Sequence, residues 1–242
     1  MQGLVELVGL SRSYGALKVT DNVTLGIPRG EALGIVGPNG AGKTTLFNLI
    51  TGTVAPSSGR VIWRGQDITA LSAASRCRAG IARSFQVPQP FAGMTVYENV
   101  LTAAIFGAGL TARAARARTR DVLEATELAD RASRLAGALP LLDRKRMELS
   151  RALATNPDLL LLDEIAGGLT DQECTALIAL IRSINRDHGV TVVWIEHVVH
   201  ALLAVVTRLV VLDQGRVVMD GDPHTVMASD LVRRLYTGLS DD

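Results

Sequence analysis

Eight consecutive residues constrain this chain more than any others: Gly37-Pro38-Asn39-Gly40-Ala41-Gly42-Lys43-Thr44 satisfies the pattern GxxxxGK[ST]. The segment follows a short apolar run at 31–36 that reads as a strand. It opens a stretch at 44–51 that reads as a helix, closed by Gly52. Strand, glycine-rich turn and helix in that order is the context the pattern requires, and it commits the chain to an α/β core. Glycines let the backbone curl so that successive N–H groups face phosphate oxygens, and the helix N-terminus adds partial positive charge. Lys43 is expected to bring a point charge to the β- and γ-phosphates, and the Thr44 hydroxyl to ligate Mg²⁺. Gly37, Asn39, Gly40, Ala41, Gly42 and Thr45 complete the expected cradle. A nucleoside triphosphate is the ligand this segment implies. With just three lysines in the chain (Lys18, Lys43, Lys145), abundance does not explain a lysine at this position.

The rest of the sequence supports one large α/β unit. It has 242 residues, 48% hydrophobic and 20% charged, enough for a sizeable core and unlike a disordered chain. A net charge of +1 removes the electrostatic argument for a general nucleic-acid binder. Cys77 and Cys174 are too few for a disulfide framework and match no metal spacing. No apolar run approaches bilayer-spanning length, and the start MQGLVELVGL lacks the marks of a secretory signal, so a cytosolic chain is expected. Strand patterning fills the first third, with residues 23, 25 and 27 alternating and a further strand at 60–64. It gives way to Ala, Leu, Glu and Arg over 95–137, and resumes at 159–162, 191–195 and 209–212, with a helix at 171–186. The helical middle reads as an insertion. Its Arg113, Arg116 and Arg120 share one helix face, read as solvated, with a partner-docking or lipid-headgroup contact as the alternative.

Leu159-Leu160-Leu161-Leu162-Asp163-Glu164 is an apolar run ending in two carboxylates. A buried parallel strand emerges at the carboxyl edge of its sheet, where ligands bind. There Asp163 is expected to hold the Mg²⁺ shell, and Glu164 to orient or deprotonate an attacking water.

Together these two motifs resemble the ATP-binding subunits of ABC transporters, and further positions match in chain order over nearly the whole length. The resemblance implies a P-loop NTPase core with an N-terminal antiparallel β region and an inserted helical subdomain at about 93–156, all in a single ATPase domain spanning 1–242. It implies ATP and Mg²⁺ as ligands. Tyr14, before Gly15, matches the aromatic that stacks on adenine, with Val19 nearby. Gln86, in Arg-Ser-Phe-Gln, matches the glutamine that reaches Mg²⁺ and the attacking water. His197, in Trp-Ile-Glu-His, matches the histidine that bonds the γ-phosphate; His188, His200 and His224 are assigned to surface or packing. GIARSFQVPQPFAGMTVYENV, RKRMELSRALATNP and the closing GDPHTVMASDLVRRLYTG resemble the first of the two ATPases in branched-chain amino-acid importers. Importers of urea, amides or other small polar solutes are the alternative. The implied partners are a second ATPase subunit, identical or not, two integral-membrane permease subunits and, indirectly, an extracytoplasmic solute-binding protein, with no nucleic acid. The implied location is peripheral, on the cytoplasmic face of the cell membrane.

One segment departs from the family pattern. Where the family has a sequence like LSGGQ that caps the γ-phosphate on the partner subunit, this chain has Leu139-Pro140-Leu141-Leu142-Asp143, before a helix read at 144–155. Pro140 replaces the serine donor, and Leu142 replaces a glycine that lets backbone approach phosphate. Either the contact persists through backbone N–H groups, or this subunit supplies a weak half to one composite site. Ile165 also stands where the family usually has proline, which alters local stiffness more than chemistry. Two other classes fit less: a small-molecule kinase would transfer phosphate to an acceptor, and non-transport ABC proteins commonly have a second ATPase domain or a long coiled coil.

Overall fold

The computed structural model describes residues 3–237; Met1, Gln2 and the end of the closing segment from Gly238 lie outside the described residues. The chain starts with an antiparallel hairpin, β1 (Val5–Tyr14) and β2 (Leu17–Ile27). After a turn, β3 (Ala32–Val36) runs into the glycine-rich segment, which opens α1 (Lys43–Thr51). β4 (Ser58–Trp63) and the short β5 (Gln66–Asp67) return to the hairpin and complete an antiparallel sheet ordered β2-β1-β4-β5. α2 (Ala73–Arg78) leads to β6 (Ile81–Arg83).

Helices then take over. α3 (Val96–Thr102) continues into a π-helical turn, Ala103–Gly107, and is followed by α4 (Ala112–Ala125) and α5 (Leu141–Ala154), which pack on one another. β7 (Leu159–Asp163), α6 (Asp171–Arg186), β8 (Thr191–Ile195), α7 (Val199–Leu203) and β9 (Arg208–Asp213) restore strand–helix alternation. β10 (Arg216–Gly221), α8 (Pro223–Ala228) and α9 (Asp230–Thr237) end the described chain. The second sheet is ordered β10-β9-β3-β8-β7-β6, parallel except for β10.

The central strands are apolar on both faces because both faces are covered. Leu159, Leu161, Val193 and Ile195 join Leu33, Ile35, Phe47 and residues of the antiparallel sheet in one core. Leu160, Leu162, Val192 and Trp194, their period-two neighbours, face the helices in the other. Thr95 with Glu98, and Thr170 with Glu173, form reciprocal caps that fix where α3 and α6 begin.

One boundary differs from the sequence reading. α5 starts at Leu141, not at 144. Pro140 holds φ at −64° and keeps Leu139 extended, so helix begins directly after it, with no glycine to delay it. Leu141, Leu142 and Asp143 therefore form the first turn of α5 rather than a loop ahead of it.

Candidate active site

The carboxyl ends of β3, β8, β7 and β6 lie side by side, and each leads into a segment singled out in the sequence: 37–45, His197, Asp163 with Glu164, and Gln86. Parallel pairing thus lines up on one edge residues that are far apart in the chain.

The glycine-rich turn is tightly seated. Gly37 has φ +152°, and a Cβ there would lie 2.0 Å from the Leu212 carbonyl oxygen; at Gly42, with φ +97°, it would lie 2.4 Å from that of Val19. Neither position admits a side chain. Gly42 caps α1 with no side chain, and α1 has no acid in its first turn, so neither a side-chain acceptor nor a carboxylate within the helix offsets the partial positive charge of its N-terminal N–H groups. Lys43 is 6% exposed and its Nζ donates to the carbonyl oxygens of Gly37 (2.7 Å) and Pro38 (3.0 Å). Burial pulls its pKa below the ordinary lysine value, while the nearby carboxylates of Glu164 and Asp163 oppose that shift. Thr44 is exposed, Thr45 half-buried, and Asn39 and Gly40 are open to solvent.

Glu164, Gln86 and His197 meet. Glu164 sits at φ +47°, uncommon for a residue with a side chain, and its N–H donates to the Ile195 carbonyl at 2.8 Å. Its carboxylate accepts from Gln86 Nε2 on one oxygen and from His197 Nε2 on the other, at 2.7 Å. Asp163, 4% exposed, is ion-paired with Arg83, whose Nη2 donates to Oδ2 at 2.5 Å. Arg83 Nη1 also donates to Asn48 Oδ1 on α1 at 2.5 Å, and the guanidinium lies 5.5 Å from the Phe47 ring centroid and 5.1 Å from that of Phe85.

Arg83 and Glu196 also bond within this edge, and the sequence reading missed both. Glu196, 1% exposed, precedes His197 and accepts from Ala166 N–H at 2.6 Å and His197 N–H at 2.9 Å. Glu196 directly precedes His197 and Arg83 lies three residues before Gln86, which is the one local signal they offer.

The remaining expected residues are less tightly drawn in. Val19 lines a cleft of ≈ 670 Å³ with Leu17, Gly40 and Asp213. Tyr14 stands at the hairpin tip, 47% exposed, with the Arg12 guanidinium 4.5 Å from its ring centroid. In the departing segment Leu139 is buried, Pro140 and Leu141 are exposed, and Leu142 is half-buried. Asp143, 3% exposed, is ion-paired with Arg131 at 2.7 Å. His188, His200 and His224 are exposed, as are Arg113, Arg116 and Arg120; both cysteines are free. No helix among the described residues is long and apolar enough to cross a membrane.

This edge brings together a phosphate cradle with a buried ammonium, a carboxylate held by two donors, and a second carboxylate below it. That inventory suits attack of water on a terminal phosphate. The family model described as ABC transporter matches residues 20–167. A probable ABC transporter ATP-binding protein of Azorhizobium caulinodans is 37% identical over 238 residues, covering 98% of this chain and 84% of that protein. The high-affinity branched-chain amino acid transport ATP-binding protein BraF of Pseudomonas aeruginosa is 34% identical over 249 residues, covering 97% and 98%. Among solved structures, an ATP-binding cassette of an ABC transporter in its ADP conformation superposes with a TM-score of 0.88 at 28% identity, covering 99% of this chain and 100% of that one. A dimeric cassette in a post-hydrolysis state, bound to ADP and phosphate, superposes with a TM-score of 0.81 at 26% identity, covering 90% and 98%.

Proposed function

The chain belongs to the ABC transporter family as an ATP-binding, ATP-hydrolysing subunit, and we propose that it drives uptake of branched-chain amino acids through separate permease subunits. The observation that carries the solute is the likeness to BraF over almost the full length of both chains. The subunit works as a pair with a second ATPase subunit, a reading supported by the dimeric cassette that it resembles. It sits peripherally on the cytoplasmic face of the membrane, with an extracytoplasmic binding protein delivering the solute. Residues 93–156 form its helical subdomain. A groove of ≈ 240 Å³ lined by Arg83, Phe85, Ala103, Arg151 and Thr155 lies next to the Gln86 segment and suits a permease contact.

In this reading the backbone N–H groups of 39–45 bind the phosphates, and Lys43 exchanges its two carbonyl partners for β- and γ-phosphate oxygens. Val19 and Tyr14 form the adenine side. Glu164 accepts the proton of the attacking water; His197 and Gln86 fix its orientation and contact the γ-phosphate and the water. The hard oxygen donors available, the Thr44 hydroxyl, the Gln86 amide and Asp163, fit Mg²⁺. Among the described residues no cluster of three or more His, Cys, Asp or Glu forms a metal cage. Bound there, Mg²⁺ would neutralise charge between the β- and γ-phosphates.

Removing the chain from its native cell should abolish uptake of labelled leucine, isoleucine and valine, and the parent chain should restore it where Lys43→Ala does not. Unchanged uptake of all three, with loss of urea or amide uptake instead, would overturn the solute assignment.

A further inference from the structure

Glu196 is a buried carboxylate that the reading above leaves without a role. Taking a carboxylate out of water is unfavourable, so one that is 1% exposed must be compensated by the groups around it. Those groups are main-chain donors from two different loops. Ala166 N–H donates to one oxygen at 2.6 Å, and His197 N–H donates to the other at 2.9 Å, with the Val198 N–H also directed at the carboxylate. Burial pushes the Glu196 pKa above the usual range, while these three N–H groups, and then the charge of Lys145, pull it back. Lys145 is itself buried, on α5 just past Asp143.

What Glu196 ties together is specific. Ala166 lies two residues after Glu164, and His197 directly follows Glu196 itself. The side-chain contact between Glu164 and His197 is therefore bracketed by two other bonds between the same loops. One runs from Glu164 N–H to the Ile195 carbonyl, the other from Ala166 N–H to Glu196. A neutral side chain of the same shape would fill the space, but a carboxylate has lone pairs on both oxygens to receive donors arriving from both loops.

We propose that Glu196 is a positioning residue that fixes the loop after Glu164 to the loop bearing His197, and so sets the geometry between these two side chains. The proposal rests on the reading that Glu164 and His197 act in ATP hydrolysis. It also makes the 165–169 loop, where Gly167 and Gly168 are exposed, mechanically continuous with His197.

Glu196→Gln and Glu196→Asp decide it, with the full chain purified together with the subunits that accompany it. The amide of Gln offers one acceptor oxygen and sets an NH₂ group against an N–H donor, so one of the two ties is lost. The expected result for Glu196→Gln is MgATP affinity within about twofold of the parent and kcat lowered between roughly tenfold and a hundredfold. The ring resonances of His197 should shift in NMR spectra, and Glu196→Asp, which keeps both acceptors, should recover part of kcat. Parent-like kcat in Glu196→Gln would overturn the proposal. So would equal losses of MgATP binding and kcat with unshifted His197 resonances, the pattern of a purely structural group. If Glu196→Gln does not fold, Glu196→Asp is judged by the same binding, rate and resonance measurements, and an unshifted His197 with parent kcat overturns the proposal. Glu164→Gln and His197→Ala run in parallel separate the two failures. If they retain turnover, the hydrolytic reading itself is wrong; if they lose it while Glu196→Gln does not, the positioning role alone is wrong.

Discussion

His197 Nε2 donates to Glu164 Oε1 at 2.7 Å while Gln86 Nε2 donates to the other oxygen of the same carboxylate. Glu164 is thus oriented from two sides, by the segments after β8 and β6, and its own N–H is anchored to Ile195. The carboxylate is held through both oxygens, on the same sheet edge as the glycine-rich turn that follows β3, with β8 between β3 and β7.

Under the proposed mechanism, Glu164→Gln removes the proton acceptor and keeps the size. Phosphate release should fall by about 10²–10⁴, whereas MgATP binding by calorimetry should stay within a few-fold. His197→Ala removes an orienting donor and leaves the base in place, so its rate should fall less than that of Glu164→Gln. Phosphate release by Glu164→Gln at half the parent rate would remove Glu164 from the base role.

Lys43 gives a pH dependence with a defined sign. In the free chain burial holds its pKa below 10.5, the ordinary lysine value. A triphosphate bound at Lys43 as proposed would favour the ammonium form and raise that pKa, so binding would take up a proton once pH exceeds the free-state value. Affinity is therefore complete below the free-state pKa and declines as pH rises through it toward the bound-state pKa. Calorimetric titrations from neutral to alkaline pH, in buffers of different ionisation enthalpy, should show this uptake in the parent. Lys43→Arg, charged throughout, should show a flat profile.

Arg83 and Asp163 are 7% and 6% exposed at their side chains, so their ion pair is shielded from water. Arg83→Met leaves Asp163 buried without its partner and should lower unfolding stability by about 3–5 kcal/mol. Asp163→Asn in the Arg83→Met background should recover much of that loss, because the uncompensated charge is gone. Urea unfolding of the two single variants and the double variant measures the coupling. Additive losses would show that the pair contributes nothing as a pair.

The sequence discloses the parts of this site whose physics is local. Glycine spacing, an adjacent lysine and a strand-to-helix transition at 37–44 need no knowledge of distant contacts, and neither does an apolar run ending in two acids at 159–164. Gln86 and His197 become legible through family resemblance, because a lone Gln or His carries little chemistry by itself. Arg83 and Glu196 escape because their partners lie 80 and 30 residues away and no periodicity points to them. Burial of a charged side chain is visible only once the chain is folded around it. The early start of α5 escapes for a different reason. The familiar pattern places a loop there, and here Leu141 and Leu142, after Pro140, stand in place of the glycines that would allow one.

Arg76 offers a last case of a buried charge, this time structural. It is 1% exposed, and its guanidinium donates to four carbonyl oxygens: Leu49 (2.7 Å) and Ile50 (2.9 Å) in the last turn of α1, Thr69 (2.8 Å) and Leu71 (3.1 Å). Two of these are acceptors that a helix end otherwise leaves unsatisfied, so Arg76 serves α1 as a C-terminal cap supplied from α2. Gly52 makes room for it, since a Cβ there would lie 2.7 Å from Arg76 Nε. Arg76→Met should destabilise the chain by about 2–4 kcal/mol, because several buried carbonyls lose their donor at once. Arg76→Lys, with one nitrogen in place of a planar fork, should recover less than half of that loss. Because α1 presents Lys43 at its other end, nucleotide affinity in Arg76→Met should fall along with stability, unlike in Glu164→Gln. Parent-like urea unfolding of Arg76→Met would show that water replaces the guanidinium at these carbonyls without loss.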